Sequence, residues 1–227
     1  MRKTKIYHKA LVIGGTSGLG LALALLLEQE GCQVFVAGRK DPKKNNLTFV
    51  NLDIGSDARK LSADLDNIVA MIKPVDLLVY AAGMFQHGAL DKINDSDIAI
   101  MINVGIFAPA LILQKLMRTQ SKLPGVILIT STSQWMPRLE EPLYAATKAG
   151  LAMLGKSISL DKKIKKTLIV GPAGMDTKMW RGKKRSGILL DPKWVASRIL
   201  RLYKGGFAYK LVRILRDPPR VESVEKR

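Results

Sequence analysis

Short apolar runs rich in branched residues alternate along the chain with longer segments whose apolar positions recur at helical spacing. The short runs predict strands over residues 10–13, 33–37, 48–52, 76–80, 125–130, 167–170 and 207–215. The longer segments predict helices over 18–30, 57–72, 95–120, 142–160 and 192–203, the third with a bend near Pro109. Strands separated by helices favour parallel pairing with right-handed crossovers. The pattern therefore predicts an α/β fold, a doubly wound parallel sheet of about seven strands with helices on both faces.

Neither a linker-like shift in composition nor an internal repeat divides the 227 residues, which suffice for one sizeable core. We therefore expect a single domain over residues 1–227. Its last strand, 207–215, should lie at an edge of the sheet. The polar, proline-containing tail from about residue 217 should be loose.

The formal net charge is +18, and most of it lies in the last third of the chain. Residues 156–227 contain 20 Lys and Arg against 6 Asp and Glu, a surplus of 14. Such asymmetry occurs in proteins that bind nucleic acid or anionic membranes. Here the basic cluster 162–166 stands where a helix ends, and it lacks the interleaved aromatic residues of a base-stacking surface. A nucleic-acid partner is therefore disfavoured.

Segment 10–27 is uncharged and follows Arg2, Lys3 and Lys5, as a signal peptide or short membrane span would. Four glycines interrupt it and no small-residue cleavage site follows, so a strand, a tight turn and a buried helix explain it better. Cys32 is the only cysteine, which suits a reducing compartment. We expect a cytoplasmic protein with no membrane partner.

A glycine-rich G-x-x-x-G-x-G turn follows the first strand and opens the first helix. In this context glycines let a dinucleotide pyrophosphate approach a helix N-terminus, so the expected fold is Rossmann-like. The candidate residues are Gly14, Thr16, Ser17, Gly18, Leu19 and Gly20. The second strand continues into Arg39 and Lys40, where NAD-binding proteins usually carry an acidic residue. Two cations and no carboxylate favour NADP(H) over NAD(H).

The sequence Y-A-A-T-K places Tyr144 and Lys148 four residues apart, on one face of a predicted helix. A phenol titrates near pH ~10, and an adjacent ammonium can lower an acid's pKa by roughly one to three units. The pair is therefore a candidate proton donor near neutral pH. Ser131 stands thirteen positions upstream of Tyr144.

Taken in order, these motifs resemble the short-chain dehydrogenase/reductase family, in its compact single-domain branch. The matching stretches, within residues 5–203, are V-I-G-G-T-S-G-L-G, L-D-I, L-V-Y-A-A-G, I-N-V-G, I-T-S-T-S, Y-A-A-T-K and G-P-A-G-M-D-T. Ile13, Ala81, Leu168 and Ala173 depart from residues that are common in the family. None of these four positions supplies a catalytic atom.

The resemblance implies a role for each matched residue. Tyr144 would transfer the proton, Lys148 would lower the pKa of Tyr144 and hold the nicotinamide ribose, and Ser131 would hydrogen-bond the substrate oxygen. Asn103 would sustain a proton relay through water behind Lys148. Further cofactor contacts would come from Asp53 and Ile54 at the adenine, Ala81, Ala82 and Gly83 along the cofactor, and Pro172, Met175 and Thr177 at the nicotinamide amide. The resemblance also implies a homodimer or homotetramer, and no metal site is predicted.

The predicted activity is NADPH-dependent reduction of a small carbonyl compound, or the reverse oxidation of an alcohol. Two alternatives stand beside it: an NADP-binding regulatory protein that senses redox state, whose Ser–Tyr–Lys set would be broken, and a basic protein that contacts nucleic acid. Segment 175–190 should form the substrate wall and lid. The cationic residues of this segment suit either an anionic carbonyl substrate or a solvated lid whose only role is to close over NADP. They are Lys178, Arg181, Lys183, Lys184 and Arg185.

Overall fold

The computed structural model describes residues 8–55, 57–85, 87–177, 179 and 187–227. Its strands are β1 (Lys9–Ile13), β2 (Gln33–Gly38), β3 (Thr48–Asn51), β4 (Leu77–Tyr80), β5 (Gly125–Ile129), β6 (Thr167–Pro172), β7 (Tyr209–Arg216) and β8 (Pro219–Lys226). Its helices are α1 (Gly18–Gln29), α2 (Ala58–Ile72), α3 (Asp95–Ile102), α4 (Ala108–Thr119), α5 (Pro142–Ile158) and α6 (Pro192–Lys204). The predicted Rossmann-like α/β architecture is confirmed, with eight strands rather than about seven.

The strands form one sheet in the order β3-β2-β1-β4-β5-β6-β7-β8, parallel from β3 through β7. The strand order reverses between β1 and β4, and in such sheets ligands bind at the carboxyl ends of the strands near this switch point. The loops after β1 and β4 meet there, because the Ala81 N–H donates to the carbonyl of Ile13 at 2.8 Å. A ligand site is therefore expected at the carboxyl ends of the strands, beside the loops after β1 and β4.

Different helices cover the two faces of the sheet, because successive side chains of a strand point to opposite sides. Val12 packs in the core on the side of α1 and α6, together with Ile199. Leu11 packs on the other side, under α2, α4 and α5, together with Leu65 and Leu151. Both faces of the central strands are therefore buried, as their continuous apolar runs indicate.

The C-terminal segment differs most from the sequence-based expectation. The loose tail expected from about residue 217 is wrong, since β8 pairs antiparallel with β7 and takes its place as the edge strand. Arg213 of β7 donates to Glu222 at 2.6 Å, and Lys156 of α5 donates to Glu225 at 2.8 Å. Ion pairs and the backbone hydrogen bonds to β7 hold β8 in place. Its polar sequence shows little hydrophobic periodicity, which is why the strand was not predicted.

The predicted helix 95–120 forms in two pieces. α3 ends at Ile102, a π-helical turn spans Asn103–Phe107, and α4 continues from Ala108. Pro109 lies in the first turn of α4, where its missing N–H breaks no helical hydrogen bond, so the interruption precedes the proline. The hydroxyl of Tyr80 donates to the carbonyl of Val104 within the π-helical turn and ties this turn to the carboxyl end of β4.

Taken together, residues Asp95–Thr119 are long and apolar enough to cross a bilayer by length and composition. Core helices of soluble proteins pass the same test. In this structure Ile112 and Leu116 of α4 are buried against the sheet, whereas Ile102 at the end of α3 is exposed. One side of the stretch therefore packs in the core, and Ile102 is its one large apolar residue that is exposed.

Gly105 brings the π-helical turn against α5, the helix that carries Tyr144 and Lys148. A Cβ on Gly105 would lie 2.5 Å from the Cβ of Thr147, so a side chain there must displace α5. We expect Gly105→Ala to lower the free energy of unfolding by about 1–3 kcal/mol, as overpacking does in other cores. Chemical denaturation measures this loss.

The matched control is Gly150→Ala, on the same pair of helices. Its Cβ would meet only the side chain of Ile106, whose Cδ1 atom at the flexible end can turn away. Because Ala favours a helix interior over Gly by about 1 kcal/mol, this variant should be neutral or slightly more stable. Equal destabilisation by both substitutions would contradict the packing argument.

Candidate active site

A cavity of about 1060 Å³ opens at the carboxyl ends of the parallel strands. It extends from the loops after β2 and β3, past the glycine-rich turn, to Ser131, Tyr144 and Lys148. Typical small-molecule sites enclose roughly 300–1,000 Å³, so this cavity has room for a large ligand together with a smaller one.

The glycine-rich turn forms the middle of the cavity wall. Gly14 has φ +78°, and a Cβ on it would lie 2.5 Å from the backbone nitrogen of Ala82. Only glycine therefore allows the loops after β1 and β4 to approach this closely. α1 begins at Gly18, and its first residues line the cavity. An open helix N-terminus beside a glycine cradle fits the pyrophosphate of a dinucleotide.

The structure brings most of the predicted residues to this one wall. They are Gly14, Thr16, Ser17, Gly18, Leu19, Gly20, Arg39, Asp53, Ile54, Ala81, Ala82, Gly83, Ser131, Tyr144, Lys148, Pro172, Met175 and Thr177. Two predicted residues are absent from the lining as far as the chain is described. Lys40 is exposed outside it, and Asn103 begins the π-helical turn, where its carbonyl accepts the N–H of Ala108.

Ser131, Tyr144 and Lys148 lie together at one end of the cavity. Ser131 follows β5, and Tyr144 lies in the first turn of α5, with the Ser131 side chain near enough to the phenol to lower its pKa. Lys148 lies one turn further along α5, donates to the carbonyl of Ile129 at 3.2 Å and has its Nζ 5.7 Å from the centre of the Tyr144 ring. The ring of Phe85 meets the Tyr144 ring edge to face, with centroids 5.0 Å apart. All three site residues are buried.

Two loops close the far end of the cavity. The Gly88 N–H donates to the carbonyl of Glu140 at 2.9 Å, and the Glu140 carboxylate lies 3.0 Å from Nε2 of His87. On the other side, the Leu190 N–H donates to the carbonyl of Gly174 at 3.0 Å and closes the base of the predicted lid. The cationic lid residues Lys178, Arg181, Lys183, Lys184 and Arg185 lie outside the described residues.

The comparisons with known proteins agree with this geometry. The family model for short chain dehydrogenases matches residues 8–186. The chain belongs to the short-chain dehydrogenase family. It is an NAD(P)-dependent oxidoreductase of that family, and the predicted resemblance is confirmed.

Relatives of this dehydrogenase are distant in sequence. An uncharacterized oxidoreductase of Staphylococcus epidermidis is 28% identical over 189 residues, covering 76% of this chain and 80% of that protein. The 3-oxoacyl-[acyl-carrier-protein] reductase MabA of Mycobacterium avium is 29% identical over 184 residues, covering 79% and 72%. A short chain dehydrogenase of Burkholderia cenocepacia, solved in complex with NADP, superposes with a TM-score of 0.74 at 22% identity, covering 88% and 92%. The likeness to the Burkholderia structure shows that the two proteins share a fold.

The acidity of Tyr144 in this dehydrogenase is set by burial. Burial raises its pKa to about 12, although the hydrogen bond with Ser131 lowers it and the Glu141 carboxylate raises it again. Lys148 is not among the groups that shift this pKa in the described structure, so the expectation that Lys148 brings it toward neutrality stays a prediction. Tyr144 remains protonated at neutral pH, so it is a ready donor that gives its proton only to a strong base such as an alkoxide.

We predict that Lys148 makes the activity of this dehydrogenase sensitive to alkaline pH. Burial lowers the pKa of Lys148 to about 8, so its ammonium loses a proton as the pH rises through that value. If the ammonium is needed, kcat/KM for a carbonyl substrate should fall above pH about 8. In Lys148→Arg the charge persists to far higher pH, so the fall near pH 8 should vanish whatever the absolute rate. The same falling limb in both proteins would assign it to another group.

Sequence reasoning missed several residues around the site. Ser133, Arg138 and Glu141 line the cavity beside Ser131, and Arg216 reaches it from the end of β7. Ser133 lies within the I-T-S-T-S stretch, and Glu141 stands three positions before Tyr144. For Ser133 and Glu141, closeness in sequence to Ser131 and Tyr144 was the one available signal of a place in the site. The loop 132–141 brings these residues together only when it is folded.

Proposed function

We propose that this protein is an NADPH-dependent carbonyl reductase that also catalyses the reverse oxidation of the alcohol. The observation that carries the proposal is the meeting of Ser131, Tyr144 and Lys148 at one end of a cavity that also holds a glycine cradle and Arg39. A regulatory protein of the same fold would be expected to have lost part of this set. The intact set therefore supports catalysis over redox sensing.

The cavity offers a place for each part of the cofactor. The glycine-rich turn and the start of α1 would hold the pyrophosphate, Asp53 and Ile54 would flank the adenine, and Thr177 would contact the nicotinamide amide. The fit rests on the open glycine-rich turn and the start of α1, which line the cavity wall together. When bound, NADPH supplies the hydride that reduces the carbonyl carbon.

The preference for NADP(H) rests on the end of β2. Arg39 lines the cavity directly after this strand, and no carboxylate stands beside it in Gly38–Lys40. A guanidinium suits the 2′-phosphate, whereas the acidic residue that usually holds the ribose hydroxyls of NAD is missing. The NADP bound in the similar Burkholderia structure agrees with this choice.

The protein's own part in the reaction is proton transfer and charge stabilisation. Ser131 would donate a hydrogen bond to the substrate oxygen, where negative charge develops. Tyr144 would then give that oxygen its proton, and its ring is held by the edge-to-face contact with Phe85. Lys148, whose Nζ lies close to Gly83 as well as to the carbonyl of Ile129, would hold the nicotinamide ribose.

We further propose a single-domain protein that acts in the cytoplasm as a homodimer or homotetramer on a small carbonyl or alcohol substrate. Exposed apolar residues on α3, on α5 and in the turn after α5 support self-association; they are Ile102, Met153 and Leu160. The cationic sequence of the lid supports an anionic substrate, and one relative is named as a 3-oxoacyl-[acyl-carrier-protein] reductase.

The experiment that tests the proposed function is NADPH oxidation, followed by its absorbance, over a panel of carbonyl compounds. The panel should contain neutral ketones and aldehydes, phosphorylated aldehydes and 3-oxoacyl thioesters. At least one compound should be reduced, and NADPH should be used in preference to NADH. Duplex DNA at low salt serves as the control ligand for a basic binding protein, whose signature would be salt-sensitive binding unaffected by NADPH.

A further inference from the structure

Arg216, the last residue of β7, lines the cavity beside the base of the predicted lid. The neighbouring strand β6 fixes its place, since the Ala173 N–H donates to the carbonyl of Ile214 at 2.8 Å. A Cβ on Gly187 would lie 3.8 Å from both Cζ and Nη2 of Arg216. The guanidinium of the half-buried Arg216 therefore packs against the backbone at the base of the lid.

Arg216 differs from its neighbours on the β7–β8 hairpin in having no counter-ion within the described residues. Arg213 and Arg220 both donate to the carboxylate of Glu222, at 2.6 and 2.7 Å. The side chain of Arg216 makes no ion pair and no hydrogen bond with any residue that the structure describes. A partly buried charge is unfavourable unless an opposite charge or water compensates it. Arg216 therefore holds a positive charge that an anionic ligand can neutralise.

Most other charged side chains at this end of the cavity are already compensated. On the described wall they form two opposite pairs: Arg138 with Glu141 at 3.7 Å, and His87 with Glu140 at 3.0 Å. Two positive charges remain there without a carboxylate beside them in the described structure, those of Lys148 and Arg216. Since Lys148 is assigned to the nicotinamide ribose, Arg216 is left for another ligand.

The order of the strands places Arg216 beyond the phosphates of the cofactor. β7 is four strands from β1, whose glycine-rich turn would hold the pyrophosphate, and five from β2, where Arg39 would meet the 2′-phosphate. At about 4.8 Å a strand these separations are roughly 19 and 24 Å, longer than an arginine side chain. β5, which Ser131 follows, is only two strands away, roughly 10 Å. Arg216 is thus placed to meet the substrate.

We propose that Arg216 binds an anionic group, a phosphate or a carboxylate, on the carbonyl substrate, an inference that rests on the reductase function proposed above. A guanidinium donates two parallel hydrogen bonds to either group, so it orients the substrate as well as attracting it. With its anion at Arg216, a compact substrate can place its carbonyl at Ser131 and Tyr144. Arg216 thereby selects among carbonyl compounds and takes no part in hydride or proton transfer.

The test uses pairs of aldehydes that differ in one anionic group: glyceraldehyde 3-phosphate with glyceraldehyde, and succinic semialdehyde with butanal. Wild type should reduce the anionic member of at least one pair with a kcat/KM that is about tenfold higher or more. Arg216→Gln should lose this preference through KM, because the contact binds the ground state and the transition state alike. Arg216→Lys should keep part of the preference for the phosphate, since an ammonium still attracts it as a point charge.

Arg213→Gln is the matched control, because it removes the same charge from the same strand at an exposed position outside the described cavity wall. It should behave as wild type with both pairs. A wild type without preference in either pair would overturn the inference, and so would an equal loss of both members of a pair in Arg216→Gln. If Arg216→Gln weakened NADPH binding about tenfold, Arg216 would hold the cofactor instead, and the inference would again be wrong. A wild type that reduces no compound of the panel would overturn the proposed function.

A binding measurement does not depend on turnover. Methyl phosphate carries the anion without a carbonyl, and the broadening of its phosphorus NMR signal reports binding in the presence of excess NADP⁺, which occupies the cofactor's own phosphate sites. Arg216→Gln should bind methyl phosphate about threefold more weakly, or weaker still, than wild type and Arg213→Gln, because a half-exposed ion pair is worth less than a buried one. Equal affinities in wild type and Arg216→Gln would overturn the inference whether or not the protein is active.

Discussion

Replacing Tyr144 by Phe should lower kcat about a thousandfold while leaving NADPH affinity within a factor of a few. The substitution removes one hydroxyl from a buried ring and keeps the edge-to-face contact with Phe85. A positioned acid typically contributes roughly 10²- to 10⁴-fold, and Tyr144 is the group that faces the cavity with a proton to give. Steady-state kinetics together with fluorescence titration of NADPH measure the two quantities separately.

Tyr209→Phe is the matched control for this experiment. Tyr209 is also buried, but it lies on β7 with its hydroxyl 3.5 Å from the Glu225 carboxylate, away from the cavity wall. Its loss should leave kcat unchanged. Turnover that survives Tyr144→Phe would show that another group supplies the proton, and the catalytic role proposed for Tyr144 would then be wrong.

Reversing the charge at Arg39 should have the second largest effect, on cofactor choice. Arg39 lines the cavity after β2, where the 2′-phosphate of NADP would lie. A hydrogen bond to a charged group is worth about 1.5–3 kcal/mol, so Arg39→Asp should weaken NADPH binding roughly a hundredfold. NADH binding should change little or improve, since a carboxylate can accept the ribose hydroxyls. Isothermal titration with both cofactors at physiological salt measures the switch.

Lys44→Asp makes the same change of charge a few residues further along. Lys44 is exposed and does not line the cavity in the described part of the chain. Interactions beyond about 8 Å are largely screened at this ionic strength, so the control should leave the NADPH-to-NADH ratio nearly unchanged. An equal effect from both variants would indicate that NADPH is attracted to the basic surface in general, and that Arg39 makes no specific contact with the 2′-phosphate.

Hydrophobic periodicity sufficed to predict the core of this fold. The runs that became β1, β4 and β5 are buried on both faces, so their apolar sequence has a single explanation. β8 escaped prediction because its stability comes from its partners: Glu222 pairs with Arg213 across the hairpin, and Glu225 pairs with Lys156, which lies 69 residues away. The π-helical turn escaped for a similar reason, since it depends on the close contact between Gly105 and Thr147.

The candidate site shows the same division. Spacing alone brought Tyr144 and Lys148 to one helix face, and the glycine motif placed the cofactor cradle at the end of β1. The acidity of the phenol was not predictable, because the packing that buries it comes from Phe85 and Met101, on two other segments. The hydrogen bonds that join Ser131, Ser133 and Glu141 likewise required a folded loop. Residue identity therefore predicted which groups meet at the site, whereas the burial that shifts their pKa values came from the fold.

If the proposed function is correct, a substrate carbonyl receives hydride on its carbon while Tyr144 protonates its oxygen. Isotope transfer follows the hydride itself, using NADPH that carries deuterium at the transferred position of the nicotinamide C4 and mass spectrometry of the alcohol formed. We expect one deuterium on the carbinol carbon and none on its neighbours, and about a thousandfold less labelled alcohol when Tyr144→Phe is used at equal time. An unlabelled alcohol, or NADPH oxidation with no alcohol formed, would rule out this hydride transfer.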